Sequence, residues 1–415
     1  MLKLVRFRPW RLIRSRLWMV LLVWITCLLY VLFQGGKTSI MLFGMVSLLS
    51  IYLVIGKFNG SGRTKGERKL TSGNEHAELL RAGDQVQVQL DLQTPGILPL
   101  PYVVIREVLK RHNGESWSFE ESLIPNMRGN GTLVFQTPPL ERGKYHFTDT
   151  ECVSEDIFGL IEYKGKFKAE GSFRVLPRTV FIPYWQLYDR NSRLSGPQNA
   201  LMKSRRETTQ INGVRDYVYG DRLSRIHWNA TAKTGQWKSK EFEHESVPKT
   251  MIILDSRALG YKNSEQYELA VSTAASLLEY GSRERMGMGL CTLSEKTIFF
   301  PPTDSSNDRH KMLHHLVDLD SSGTGNLLSS VQESVRYFPQ GAFFVLISAQ
   351  HNAEVLETLR FAGSRGMTAC HIQVTIRSES RSNNEWISML RTRGMKGYTV
   401  SDLQELPSVL GGGNV

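Results

Sequence analysis

Thr250–Asp255 reads TMIILD, five residues without a charge followed by one carboxylate. A continuous apolar run of this length, bounded by charge, is the signature of a strand buried on both faces, as in a parallel sheet. Downstream, an amphipathic helix is predicted near Ser264–Arg285, with Leu269, Thr273, Leu277 and Tyr280 close to helical spacing. Then come a strand at Gly289–Leu293, an extended piece at Thr297–Phe300, and helices near Asp308–Val317 and Leu327–Phe338. Phe343–Ile347 and Thr368–Val374 read as further strands, Ala353–Ser364 and Asn384–Arg393 as helices, with a last strand near Tyr398. Apolar runs alternating with helices, joined by right-handed crossovers, predict a doubly wound α/β domain over 249–415.

Upstream the grammar has period two. Val86, Val88, Leu90 and Leu92 alternate with Gln85, Gln87, Gln89 and Asp91, as in a half-buried strand. Tyr102–Leu109, Ser116–Glu121, Thr132–Thr137, Gly143–Cys152, Leu160–Phe167 and Gly171–Leu176 follow, punctuated by Pro, Gly and Asn. About seven short strands predict an immunoglobulin-like β-sandwich over 71–180. It has no nucleophile constellation and reads as a spacer or docking module. Residues 59–70 (NGSGRTKGERKL) have linker composition.

Leu17–Phe33 and Thr38–Ile55 carry no charge and are separated only by Gln34-Gly35-Gly36-Lys37. At 17 and 18 residues they sit at the short end of what spans a bilayer. Residues 1–58 are therefore expected to form a transmembrane helical hairpin, with a re-entrant hairpin as the alternative. A signal peptide fits less well, because no small-residue cleavage site follows the first run. Lys3, Arg6, Arg8, Arg11, Arg14 and Arg16 precede the first run, and Lys57, Arg63, Lys65, Arg68 and Lys69 follow the second. The positive-inside rule then places both termini in the cytoplasm of a multi-pass cell-membrane protein.

The net charge of +11 belongs to that membrane end. Twelve of the 51 Lys/Arg and one of the 40 Asp/Glu fall in residues 1–70, so the remainder is neutral. This argues against nucleic-acid binding. The cysteines at 27, 152, 291 and 370 form no CxxC or Cys/His cluster, which excludes a zinc ribbon or redox pair and fits buried thiols in a reducing compartment.

Between the two folded units, residues 212–245 read NGVRDYVYGDRLSRIHWNATAKTGQWKSKEFEHE. Tyr219-Gly220-Asp221 reads as a tight turn, and alternation at Ile226, Trp228 and Ala230 and at Lys238, Lys240 and Phe242 predicts strands around a turn near Gly235. Asp221 and His227 could act as an acid/base pair, with Arg215 or Arg225 clamping an anion, giving a hydrolase or transferase. No nucleophile accompanies the histidine, and no phosphate-cradling GxxxxGK[ST] loop is present. The structural alternative is a connector (181–248) in which Arg215, Asp221, Arg225 and His227 form a partly buried ion-paired network around Trp228.

This segment resembles the signature of the domain of unknown function 58 family, roughly G-x-R-x-Y-x-x-G-D-x-x-R-x-I-H-W-x-x-[ST]-A-[RK] followed by a Lys and a run of Glu. The matching residues are Gly213, Arg215, Tyr217, Gly220, Asp221, Arg225, Ile226, His227, Trp228, Thr231, Ala232, Lys233, Lys240, Glu243 and Glu245. Arg142-Gly143-Lys144-Tyr145 resembles the family's RGxY, Asp156-Ile157-Phe158-Gly159-Leu160 its D-P-F-G-L, and Pro177-Arg178 the P-R after the sandwich. The resemblance implies a membrane anchor and a von Willebrand factor A-like carboxyl-terminal domain. It also implies a MoxR-type AAA+ ATPase and transglutaminase-like membrane proteins as partners, with no established catalytic residue and no cofactor. The von Willebrand A fold holds Mg²⁺ through D-x-S-x-S after its first strand. Here Asp255 keeps the first position, Arg257 and Leu259 replace the serines, and Ser348 stands where a further Asp is expected. With one of three core ligands left and a guanidinium intruding, no metal is expected.

Overall fold

The computed structural model describes residues 12–58, 64–72, 79–95, 101–156, 158, 162–188, 207–219, 221, 223–244, 249–376 and 380–412. Lys3, Arg6, Arg8, Arg11, Arg63, Ile157, Gly159, Leu160, Gly220 and Glu245 lie outside them. The chain divides into two compact units, Met1–Leu176 and Pro177–Val415.

The first unit opens with helices α1 (Leu12–Gln34) and α2 (Lys37–Phe58). Gly35 and Gly36 reverse the chain between them at φ +61° and +95°, conformations that side chains resist. The helices run back along each other, with Trp24 Nε1 donating to Ser47 Oγ at 2.9 Å and its ring 5.5 Å from that of Phe43. Most of their large apolar side chains face outward, Phe33 at 88% and Leu48 at 72% exposure. Among the described residues, Lys37–Ile55 is the one helix long and apolar enough to cross a membrane, with a mean hydropathy of 2.2. Trp18–Gln34 of α1 is a shorter apolar helix.

Nine strands follow: β1 (Lys65–Ser72), β2 (Val86–Gln93), β3 (Val103–Arg111), β4 (Ser116–Leu123), β5 (Asn130–Gln136), β6 (Gly143–Phe147), β7 (Thr150–Glu155), β8 (Glu162–Phe167) and β9 (Ser172–Val175). They form antiparallel sheets in the orders β1-β2-β5 and β8-β7-β3-β6-β9, with β4 paired to β3. One core joins the sheets, built from Val86, Val88, Leu90 and Leu92 with Ile105, Leu109, Phe135, Tyr145 and Cys152. The predicted strand Gly143–Cys152 is two strands, broken at Thr148-Asp149.

The predicted linker 59–70 is corrected more sharply, since Lys65 onward is strand β1, in register with β2 from Lys65↔Gln93 to Ser72↔Val86. Composition suggested a solvated stretch, yet Arg68 points inward. Its guanidinium lies 2.5 Å from Glu107, with the two side chains 0% and 1% exposed. It also donates to the Ala169 carbonyl and stands 4.1 Å from the Phe147 ring centre.

The second unit contains the hairpin β10 (Glu207–Asp216) and β11 (Lys238–His244), with helix α3 (Trp228–Thr234) between its strands. Then come β12 (Thr250–Asp255), α4 (Ser264–Arg283), β13 (Met288–Leu293), β14 (Ile298–Thr303), α5 (Ser306–Asp318), α6 (Leu327–Ser334), β15 (Phe343–Ser348), α7 (Ala353–Ser364), β16 (Thr368–Val374), α8 (Ser380–Thr392), β17 (Lys396–Val400) and α9 (Leu406–Leu410). The sheet order is β14-β13-β12-β15-β16-β17, parallel except for the antiparallel edge strand β14. All six residues of β12 are buried. Met251 and Ile253 pack with Leu327, Val331, Val355, Leu359 and Leu390 from α6, α7 and α8. Ile252 and Leu254 alternate to the opposite face, the side on which α4 lies. A strand covered on both faces needs apolar residues at every position, which explains the run TMIIL.

Residues 177–188 belong to this unit rather than to the sandwich predicted to end at 180. Trp185 is fully buried, its ring 6.1 Å from Tyr280. Tyr188 shares a 2.6 Å hydrogen bond with Thr250 Oγ1, and Val180 N donates to Ser276 Oγ.

Candidate functional site

The motif segment is built on the β10–β11 hairpin, in which Gly213 faces Glu241, Val214 faces Lys240, Arg215 faces Ser239 and Asp216 faces Lys238. Arg215 Nη2 donates to Asp221 Oδ1 at 2.8 Å, while the Val218 amide donates to Oδ2. The Asp221 amide returns to the Val218 carbonyl, closing the turn predicted at 219–221. The hydrogen bond from Arg215, then that from Val218, holds the Asp221 carboxyl below its ordinary range. Tyr217 OH donates to the Asp221 carbonyl.

His227 is employed elsewhere. It is the N-cap of α3, its Nδ1 accepting from Ala230 N at 3.1 Å, and its own amide donates to the Lys238 carbonyl. No hydrogen bond joins Asp221 to His227, so the predicted acid/base pair is not assembled. Thr231 Oγ1 accepts from the Lys238 amide, and Lys238 Nζ pairs with Asp216 at 2.5 Å. Gly235, at φ +68°, ends the helix by donating to the Thr231 carbonyl. Thus Trp228–Thr234 is one helix, where alternation had predicted a strand through Ala230. Lys233 is exposed, Lys240 and Arg225 are half-buried, and Glu243 lies within β11.

The expected paired network around Trp228 is corrected by burial. Ile226 is the residue packed inside, at 1% exposure, whereas Trp228 is 65% exposed. Its ring lies 6.1 Å from Trp237, itself 53% exposed, and Trp237 lies 5.8 Å from Tyr217. Tyr219 stands fully in solvent at 99%, with Val218 and Leu223 also exposed. The motif exposes aromatic and aliphatic side chains.

A second polar cluster lies at the carboxyl end of β12. Arg257 Nε and Nη2 grip the two oxygens of Asp255, both at 2.9 Å. Arg257 Nη1 donates to the Gly325 carbonyl at 2.9 Å and to Glu354 Oε1 at 3.2 Å, and Nη2 reaches Gln350 Oε1 at 3.5 Å. Glu354 also accepts from the Leu327 amide at the start of α6. A cleft of about 290 Å³ opens over this cluster, lined by Arg257, Leu259, Gly260, Thr324, Gly325, Asn326, Gln350 and Glu354. Leu259 is 76% exposed, and Ser348 is turned away into the sheet. The oxygens around Arg257 would suit a hard cation in charge and type, but the guanidinium takes the position such an ion would need. These residues do not fit a metal as they stand.

Ser348 meets His371, a pairing the sequence reading missed. Trp386 Nε1 donates to His371 Nδ1 at 3.0 Å. That nitrogen must therefore be unprotonated, and the neutral ring carries its proton on Nε2, 3.0 Å from Ser348 Oγ. Ser348 in turn donates to the Gln350 carbonyl. A histidine in this tautomer gives a hydrogen bond to the serine and cannot take its proton, so the pair is no nucleophile and base. Burial, then the neighbouring His351, lowers the His371 pKa to about 3. Glu354 was also missed. It falls six residues beyond Ser348, in the first turn of α7, where an acid complements the helix dipole. All four cysteines are buried free thiols, and burial pushes Cys152, Cys291 and Cys370 up to about 12.

Residues 213–381 match the family model described as Protein of unknown function DUF58. The chain is 24% identical over 386 residues to Uncharacterized protein YeaD of Bacillus subtilis (strain 168), covering 90% of this chain and 93% of that one. An aerotolerance-related membrane protein from Bacteroides fragilis NCTC 9343 aligns with 40% of this chain and 96% of its own, at 15% identity and a TM-score of 0.29. Proximal thread matrix protein 1 from the mussel byssus aligns with 40% of this chain and 46% of its own, at 15% identity and a TM-score of 0.27. At those TM-scores neither structure bears on the fold or the function.

Proposed function

We propose, starting from a chain that belongs to the DUF58 family, that it is an integral-membrane scaffold whose folded units receive protein partners on the cytoplasmic side. In this reading α1 and α2 are two spans of a hairpin, and the cationic flanks keep both termini in the cytoplasm. The antiparallel sheets act as an immunoglobulin-like sandwich, and the α/β sheet as a von Willebrand A-like domain that works without a metal. The partner is a MoxR-type AAA+ ATPase, with transglutaminase-like membrane proteins in the same assembly.

One observation carries the scaffold reading over catalysis. Arg215 and Asp221 pair with each other, and His227 Nδ1 and Thr231 are engaged with the backbone, while Tyr219, Trp228 and Trp237 are held outward. Exposed Trp and Tyr on a rigid hairpin are the residues that dominate protein interfaces. The test is binding of the full-length chain in nanodiscs to a purified MoxR-type ATPase from the same cell. Tyr219→Ser with Trp228→Ser is expected to weaken binding by roughly 30-fold or more, about 2 kcal/mol, as for an interface anchor. Unchanged affinity would remove the motif from the interface, and a hydrolytic activity lost in both Asp221→Asn and His227→Gln would replace the scaffold with an enzyme.

A further inference from the structure

We infer that the turn carrying Phe158 is a lipid-seated foot, which fixes the amino-terminal β-rich unit against the bilayer interface beside α2. The inference rests on the reading of α2 as a membrane span. Its observations are separate ones, drawn from the β7–β8 connection.

Two contacts tie this connection and the start of β8 to the last turns of α2. Tyr163 OH donates to the Leu53 carbonyl at 3.1 Å. The Phe158 ring meets Tyr52 edge-on, with centres 5.9 Å apart. Leu53 is fully buried, although Leu48, Ile51 and Val54 on the same helix are all more than half exposed. Asp156, itself buried, accepts the Phe158 amide at 2.7 Å and holds Phe158 in place. Phe158 remains 62% exposed.

Depth decides what that exposed ring meets. The apolar stretch of α2 runs from Lys37 to Ile55, about 28 Å at 1.5 Å per residue and close to the thickness of a hydrocarbon core. Leu53 and Tyr52 are two and three residues inside its end, about 3 and 4.5 Å along the helix, and Tyr163 and Phe158 touch the helix at those two residues, near the boundary between acyl chains and headgroups. Trp and Tyr concentrate at that level, their amphipathic rings among the headgroups, and the apolar Phe158 ring beside Tyr52 gains by leaving water there. A phenylalanine held there by a buried Asp and a helix contact has lipid, not water, over its open face.

The experiment uses the full-length chain in nanodiscs of phosphatidylcholine with phosphatidylglycerol, carrying a nitroxide at Phe158→Cys. Leu48→Cys on α2 and Asn113→Cys on the β3–β4 turn serve as references. The four native thiols are buried, and unsubstituted protein sets the labelling background. Relaxation by dissolved oxygen is compared with relaxation by a water-soluble nickel chelate. Phe158→Cys is expected to favour oxygen, as Leu48→Cys does, while Asn113→Cys favours nickel. A nickel-dominated signal at 158 overturns the inference, and so does a signal shielded from both reagents, which would mean a protein partner or a second copy over the turn. Either result leaves the membrane reading standing as long as Leu48→Cys reports lipid. Nickel access at Leu48→Cys sinks the membrane reading itself, and the foot with it.

Discussion

Arg257 closes on both carboxylate oxygens of Asp255 at 2.9 Å, and its remaining donors reach Gly325, Glu354 and Gln350. A guanidinium has five N–H donors, and all five are used here. One side chain thereby ties together the end of β12, the approach to α6 and the start of α7.

Arg257→Ala leaves Asp255 buried without its partner, which costs about 3–5 kcal/mol for a pair of this kind. Thermal unfolding of the full chain should show the carboxyl-terminal transition moving down. Arg257→Lys should recover only part of it, since a point charge cannot span both oxygens. Calorimetric titration of unsubstituted protein with Mg²⁺ or Mn²⁺ should show no saturable site. Micromolar binding abolished by Asp255→Ala would contradict this account of the cluster.

His371 sets a pH dependence. Its folded pKa of about 3 lies below the ordinary 6.5, so the unfolded chain binds the extra proton between those values. Stability is complete above about pH 6.5 and is lost as pH falls toward 3, by about 2 kcal/mol at pH 5. Chemical denaturation at pH 7.5 and pH 5 measures this slope. In His371→Gln that part of the slope should vanish, even if the variant is less stable at both pH values.

Asp221→Asn should leave the melting temperature of the full chain at the unsubstituted value. Arg215 is 38% exposed and Asp221 13%, so water reaches the pair from the arginine side and screens it, and an Asn keeps the hydrogen-bond acceptor. A large drop in differential scanning calorimetry would restore the buried network expected from the sequence.

Arg68 and Glu107 should behave in the opposite way. Burial already holds the Glu107 carboxyl above its ordinary range against the pull of Thr150 and Arg68. Arg68→Met removes one charge of a buried pair, at a cost of about 3–5 kcal/mol, whereas Arg68→Met with Glu107→Leu should return most of it. Unfolding of the double variant checks this directly, and a double variant no better than the single would count against the pairing.

Periodicity was most informative where one environment covers a whole element. Thr250–Asp255 is buried on both faces and reads apolar throughout, and Val86–Leu92 is buried on one face and alternates. Arg68 hid a strand because its partner, Glu107, lies 39 positions away, and composition sees only neighbours. Trp228 misled in the reverse direction: its hydrophobicity suggested burial, but α3 turns it outward and leaves Ile226 inside. The role of His371 depends on Trp386, a contact from helix α8 onto strand β16 that spacing along the chain does not reveal. The intrusion of Arg257 was readable because it sits two residues from Asp255.

The anchoring of residues 177–188 governs how the second unit would carry tension. The chain enters that unit by running past Ser276 and burying Trp185 before it reaches the β10–β11 hairpin. A steady pull transmitted from the amino-terminal side would therefore be borne first at the Val180–Ser276 bond and the Trp185 aromatic cluster. The hairpin and its exposed motif lie downstream of that clamp. They would stay unloaded until the clamp gave way.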